Sequence, residues 1–185
     1  MKKNLLIPFL GVLASLLLFS CVKDTDFNQA ENVVLTPVVE LDLIYFNAEA
    51  GEFFDSITNT SILTIRDTTE IRFLDDTSIQ ESLIRAEFLF NFTNSIPRTF
   101  EVNFQFLNNQ NEETYAIGTV VNAGTELAPV LTQFIDTVEG EEILQLTMAD
   151  RVVVSVTILS SDAGLQGVLN LQSKTTYYLE IRDRS

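Results

Sequence analysis

Histidine and tryptophan are absent from this 185-residue chain, and cysteine occurs once, at position 21. Without histidine there is no Ser-His-Asp triad and no imidazole ligand for a metal. With a single cysteine there is no internal disulfide and no Cys-based zinc site, so a folded body must be held by its core alone. Basic residues are few, 11 Lys and Arg against 26 Asp and Glu, for a net charge of −15. No Lys/Arg cluster interrupts that excess, and a polyanion gains no counterion-release free energy from another polyanion, which excludes nucleic acid as a partner. Also missing are any fixed-period repeat, any low-complexity stretch and any Asp-x-Asp-x-Asp-Gly calcium loop.

What is present describes a folded body behind a leader. Hydrophobic residues make up 46% and charged residues 20% of the chain, the composition of one globular domain of ordinary size. Met1-Lys2-Lys3-Asn4 is a short positive start, and Leu5 to Phe19 is an apolar run broken by Pro8, Gly11 and Ser15. As a helix that run spans about 22 Å, short of the roughly 30 Å hydrocarbon core of a bilayer, so a cleaved secretory signal is the better reading. Removing Lys2 and Lys3 takes the charge from −15 to −17. Anionic headgroups repel such a body, so attachment to a membrane requires a lipid.

The run ends in Leu18-Phe19-Ser20-Cys21, which resembles the lipobox of bacterial lipoproteins: an aliphatic residue at −3, a small residue at −1, then the obligatory cysteine. Phe19 is bulkier than the usual occupant of −2. The resemblance implies cleavage before Cys21, a diacylglycerol thioether on its sulfur and acylation of the new amine. Two or three acyl chains, at about 0.8 kcal/mol per buried CH₂, anchor stably. The alternative is an ordinary cleaved signal followed by an unmodified cysteine. Lys23-Asp24 resembles the surface-export signal of Bacteroidota lipoproteins, which implies an outer-membrane protein facing the exterior; residues 22–32 equally serve as a polar tether. The plan is therefore a signal at 1–20, a lipidated Cys21 and tether at 21–32, and one domain at 33–185.

From Val33 onward, short runs alternate apolar with polar residues between turn-formers, the pattern of strands. Phe88, Phe90 and Phe92 share one face, as do Phe100, Val102, Phe104 and Phe106 beyond Asn94-Ser95-Ile96-Pro97. These read as an antiparallel hairpin with an aromatic inner face, extended to a meander by Tyr115–Val121. Further strands are expected at Val38–Phe46, at Ile62–Ile65 and Glu70–Leu74 as a hairpin around Asp67-Thr68, at Arg151–Leu159, and at Val168–Leu171 and Thr176–Ile181. Glu139 to Ala149 breaks the period, and Ile143, Leu146 and Met148 mark a single short helix there. The fold class is thus an all-β antiparallel sandwich, immunoglobulin-like or similar, with at most one helix. In pattern it resembles the sandwich modules of Bacteroidota surface lipoproteins.

Fourteen phenylalanines at period two are what fills the space between packed sheets, and weigh more as core than as a lipid pocket. Sugar platforms favour tryptophan and tyrosine, and only Tyr45, Tyr115, Tyr177 and Tyr178 are available. The acid pairs Asp75-Asp76, Glu112-Glu113 and Glu141-Glu142 are the material for a two-carboxylate glycan hydrolase, but all read as solvated loop or helix-start residues. Calcium binding by these loops is open, though no motif supports it. Asp55-Ser56-Ile57, Asp67-Thr68-Thr69 and Asp136-Thr137-Val138 resemble Bacteroidota O-glycosylation acceptors, which would place glycans on Ser56, Thr68 and Thr137. The leading expectation is a lipid-anchored, non-catalytic binding or structural module of the cell envelope with a protein or glycan partner, no metal and no cofactor. A carrier of an apolar ligand between the sheets is the alternative, and a carboxylate-dependent hydrolase comes third.

Overall fold

A computed structural model describes residues 34–182. The signal with Leu18, Phe19 and Ser20, the lipid-bearing Cys21, the Lys23-Asp24 pair and the tether to residue 32 lie outside the described residues. Eight strands build the body: β1 (Val38–Glu49), β2 (Thr64–Glu70), β3 (Leu83–Asn94), β4 (Phe100–Leu107), β5 (Glu113–Val121), β6 (Val130–Glu139), β7 (Arg151–Ile158) and β8 (Val168–Leu179). They make two antiparallel four-stranded sheets, in the orders β1-β8-β3-β6 and β2-β7-β4-β5.

All successive strands except β4 and β5 belong to opposite sheets, so the chain shuttles across the core. Eight strands in this double-sheet arrangement make a jelly roll. The strand order separates it from the immunoglobulin type, whose two sheets carry hairpin neighbours. β3 and β4 are the instructive case. They face each other across the interior and are not hairpin partners: β3 pairs with β8 and β6, while β4 pairs with β7 and β5. The aromatic faces are where the alternation puts them. Phe90 lies on Phe104 with ring centroids 4.2 Å apart, and Phe88 on Phe106 at 5.1 Å. Two apolar faces can be satisfied by a common third layer or by each other, and the sequence pattern does not distinguish the two. The turn decides: Asn94 is buried, its amide donates to the carbonyls of Arg98 (2.9 Å) and Asn122 (2.8 Å), and its Oδ1 accepts from Ile96 N (2.8 Å). That fixes a corner at residues 95–99.

Other boundaries shift for physical reasons. Asp67-Thr68 is no turn, because β2 runs through it, opposite Val154 and Val153 of β7; Arg72–Asp75 is a 3₁₀ turn. The two C-terminal segments are one strand, β8, with a bulge between Gln172 and Lys174 against β1. β6 has no counterpart among the expected strands. The expected hairpin β4-β5 is present, closed by Asn108, whose Oδ1 accepts from Gln110 N and Glu112 N at 2.9 Å each. Among the described residues there are two short α-helices, one more than expected: α1 (Thr77–Ser82), capped by Asp76, and α2 (Glu142–Leu146). In α2, Ile143 and Leu146 are buried and Met148 beyond it is exposed.

Phe88, Phe90, Phe92, Phe100, Phe104 and Phe106 are fully buried. Each contributes about 1.5–3 kcal/mol by leaving water, and with Val152, Val154, Val156 and Ile158 of β7 they close the interior. The connections after β1, β3, β5 and β7 gather at one end and are tied together. Gly124 N donates to Ile96 O (3.1 Å), Ser61 Oγ to Ser161 O (2.7 Å), and Arg98 pairs with Asp162 at 3.2 Å. Gly167 is required there: its φ is +109° and a Cβ would come within 2.5 Å of the Ser95 carbonyl. The connections after β2, β4 and β6 gather at the other end, where the chain enters β1.

Candidate binding surface

The outer face of the β1-β8-β3-β6 sheet is the most organised polar surface. Strand alternation places one side chain in two on it, and the pairing registers align them in rows. One row runs Tyr45, Gln172, Asn91, Gln133; the next runs Asn47, Asn170, Thr93, Leu131. Five planar amides therefore lie in two adjacent rows across four strands. Asn170 donates to Asn47 at 2.8 Å and Gln133 to Asn91 at 2.8 Å, which orients each donor amide and leaves its own carbonyl oxygen for a further bond. Tyr45 stands at the end of the first row and is 72% exposed. Towards the chain-entry end the same face carries ion pairs instead: Lys174 with Glu40 at 3.0 Å and Arg85 with Glu87 at 2.8 Å. Arg85 also covers the Tyr178 ring, 4.9 Å from its centre.

The other tyrosines are committed to structure. Tyr177 is buried and packs on Phe73 with ring centroids 4.6 Å apart; burial pushes its phenol up to about 12. Tyr115 is half-buried and donates to Asp136 at 2.6 Å, bridging β5 and β6. Burial and this carboxylate raise its pKa well above the usual phenol value.

The acid pairs do not assemble a catalytic constellation. Asp76 caps α1, accepting from Ser78 N and Oγ, and these bonds hold its carboxyl below the ordinary range. Glu112 accepts from Asn108 and Glu113 from Gln105, while Glu141 and Glu142 begin α2. Glu70, Asp75 and Asp150 line a polar recess at the chain-entry end, but Glu70 pairs with Arg72 at 2.7 Å and Asp150 with Arg151 at 3.0 Å. Among the described residues no group of three or more Cys, Asp or Glu is placed to hold a metal ion, and no helix is long and apolar enough to cross a membrane.

The apolar opening at the β1/β2 side is a half-open cleft of about 190 Å³ lined by Phe46, Ala48, Ile65, Val154 and Val156 with Glu52, Arg66 and Asp67 at its rim. Pockets that take small molecules run to roughly 300–1,000 Å³, so this cleft is small for a lipid. Ser56, Thr68 and Thr137 are all exposed, on a loop tip, on β2 and on β6 respectively, and are not gathered together. Asp55 beside Ser56 accepts from Ile57 N and from Thr58 N and Oγ1, bonds that lower its pKa and shape the tip.

Sequence reasoning missed the amide rows. Alternation puts Asn91 on the face opposite Phe90 and Phe92, but the rows exist only once the register joins residues as far apart as 45 and 172.

No protein-family model and no curated protein matches the chain. Among solved structures it is similar to the infectious bursal disease virus VP2 subviral particle, at 11% identity over 80% of this chain and 33% of that one, with a TM-score of 0.46. It is also similar to a protein from Parabacteroides distasonis, at 13% identity over 62% and 38%, TM-score 0.44. A third is the enzymatically active domain of bacteriophage CBA120 tailspike protein 4, at 15% identity over 83% and 20%, TM-score 0.38. The chain spans well under half the length of each. At these scores the likenesses carry no argument, and a fold shared at this level would not transfer a function. The assignment of the fold stands on strand order.

Proposed function

We propose that this protein is a non-catalytic binding module of the cell envelope, held in the outer membrane by lipid on Cys21, facing the exterior, and taking a glycan on its amide face. The observation that carries the reading is the pair of rows holding Asn47, Asn91, Gln133, Asn170 and Gln172, flanked by exposed Tyr45. A planar amide offers an acceptor and two donors in fixed geometry, matching the vicinal hydroxyls of a sugar, and a tyrosine supplies an apolar ring with a polar tip. No ion pair crosses these two rows, so a neutral ligand displaces water and not a counter-charge. Calorimetric titration of the mature protein with envelope and host polysaccharides tests it. Asn91→Ala and Gln172→Ala should each weaken binding about tenfold, in line with the loss of one or two hydrogen bonds at about 1 kcal/mol each. Absence of binding to any polysaccharide, or binding by both variants as tight as by the wild type, rejects the reading.

A protein partner is favoured by a separate observation at the tied loop end. Ile57, Leu127 and Leu159, from three different loops, are 94%, 99% and 88% exposed. They lie at the end of the sandwich opposite the one where the chain enters β1. Cross-linking from this end on intact cells should capture one envelope protein, and Leu127→Asp should abolish the capture.

A further inference from the structure

We infer that two copies of this protein join through β6, edge to edge, across a two-fold axis at Gln133. β6 is a ten-residue strand paired on one side only, with β3, and the register is unbroken from Arg85 opposite Glu139 to Asn94 opposite Val130. Soluble proteins blunt such edges with bulges, prolines or charges, because the unpaired backbone groups recruit another strand. The opposite edge of the same sheet follows that rule: β1 meets a bulge in its pairing with β8, and Glu40, Asp42 and Glu49 stand on its outer positions. β6 has no bulge in its pairing with β3 and no proline, and its one outward charge is Glu139, at its last residue. From Val130 to Val138 its outer positions are Leu131, Gln133, Ile135 and Thr137, and Asp136 points inward to Tyr115.

A second copy is the occupant that this edge fits. In a chain carrying −15, like charges oppose self-association over most of the surface, and along Leu131, Gln133, Ile135 and Thr137 that opposition is missing. An isologous antiparallel pairing centred on Gln133 sets Leu131 of each copy opposite Ile135 of the other. These two side chains are 68% and 52% exposed and would cover one another twice. The same register lines up the row Tyr45, Gln172, Asn91, Gln133 with its mate, giving one eight-stranded sheet with a continuous amide row. The pairing does not depend on glycan binding; if the face does bind a glycan, the pair doubles the length of chain it can hold.

The test uses the lipidated protein in the cells that make it, since residues directly opposed in an antiparallel pair have Cβ atoms about 4.5–5.5 Å apart, close enough for a disulfide after small adjustment. Under mild oxidation Gln133→Cys should run largely as a covalent dimer, while the wild type, Leu131→Cys alone and Asn47→Cys on the opposite edge stay monomeric. Co-expressed Leu131→Cys and Ile135→Cys should link to each other. Adding Ile135→Lys to Gln133→Cys should remove the dimer. Monomeric Gln133→Cys, linkage to a different protein, or linkage of Asn47→Cys as readily as Gln133→Cys each overturns the inference.

Discussion

β3 and β6 lie side by side, matched over ten consecutive pairs, yet only one of them is legible in the sequence. β3 is central, with β8 on its other flank, and its inner face must be apolar: Phe88, Phe90 and Phe92 are all fully buried. β6 is at the edge, its inner side chains other than buried Val138 are half-covered, and the positions paired with those phenylalanines carry Asp136, Phe134 and Thr132. Its outer face holds Leu131 and Ile135. Apolar residues on both faces and polar ones on both faces cancel the alternation. Burial from both flanks writes a clear pattern, and burial from one flank does not.

Truncating the opposed rings separates the two strands by the largest effect. Phe90→Ala should cost about 3–5 kcal/mol in denaturant unfolding, whereas Phe134→Ala, half-buried opposite it, should cost about half as much. Equal losses would mean that β6 is packed as a central strand is. Next in size is the corner that ends β3. Asn94→Ala removes the three hydrogen bonds of a buried amide and leaves the carbonyls of Arg98 and Asn122 and the Ile96 amide short of a partner, an expected loss of about 2–3 kcal/mol.

Alkaline pH probes the tyrosines on either side. Below pH 10 the phenol of Tyr177 is protonated in both folded and unfolded chains. Between 10 and about 12 the unfolded chain releases this proton while the folded one keeps it, so stability falls as pH rises. The loss attributable to this group is about 2–3 kcal/mol across that window, and Tyr177→Phe should show a decline shallower by that amount. The smallest effect belongs to the edge: Tyr115→Phe removes the bond to Asp136 and should cost about 1 kcal/mol. A double-mutant cycle with Asp136→Asn should give a coupling of similar size.

Much of the architecture was readable because the residues that specify it are buried alternately. The all-β class, the inner faces of β3, β4 and β7, the β4-β5 hairpin and the helix near Ile143 all follow from spacing. Two strands read as four segments, β2 split at Asp67-Thr68 and β8 at the bulge before Lys174, and β6 carries no pattern that marks it. Pairing was less accessible. The crossing of the chain from β3 to β4 depends on the hydrogen bonds of Asn94, a residue that reads equally well as part of a hairpin turn. Of the binding surface, single outward residues were visible and the rows were not, since a register between β1 and β8 joins positions more than a hundred residues apart.

Tethering of this acidic sandwich by lipid is tested most directly by intact-mass analysis of the protein extracted from native membranes. The prediction is a chain that begins at Cys21 and carries the mass of a diacylglycerol and an amide-linked acyl group. A chain that retains Met1, or one that starts near Cys21 with no acyl mass, contradicts it.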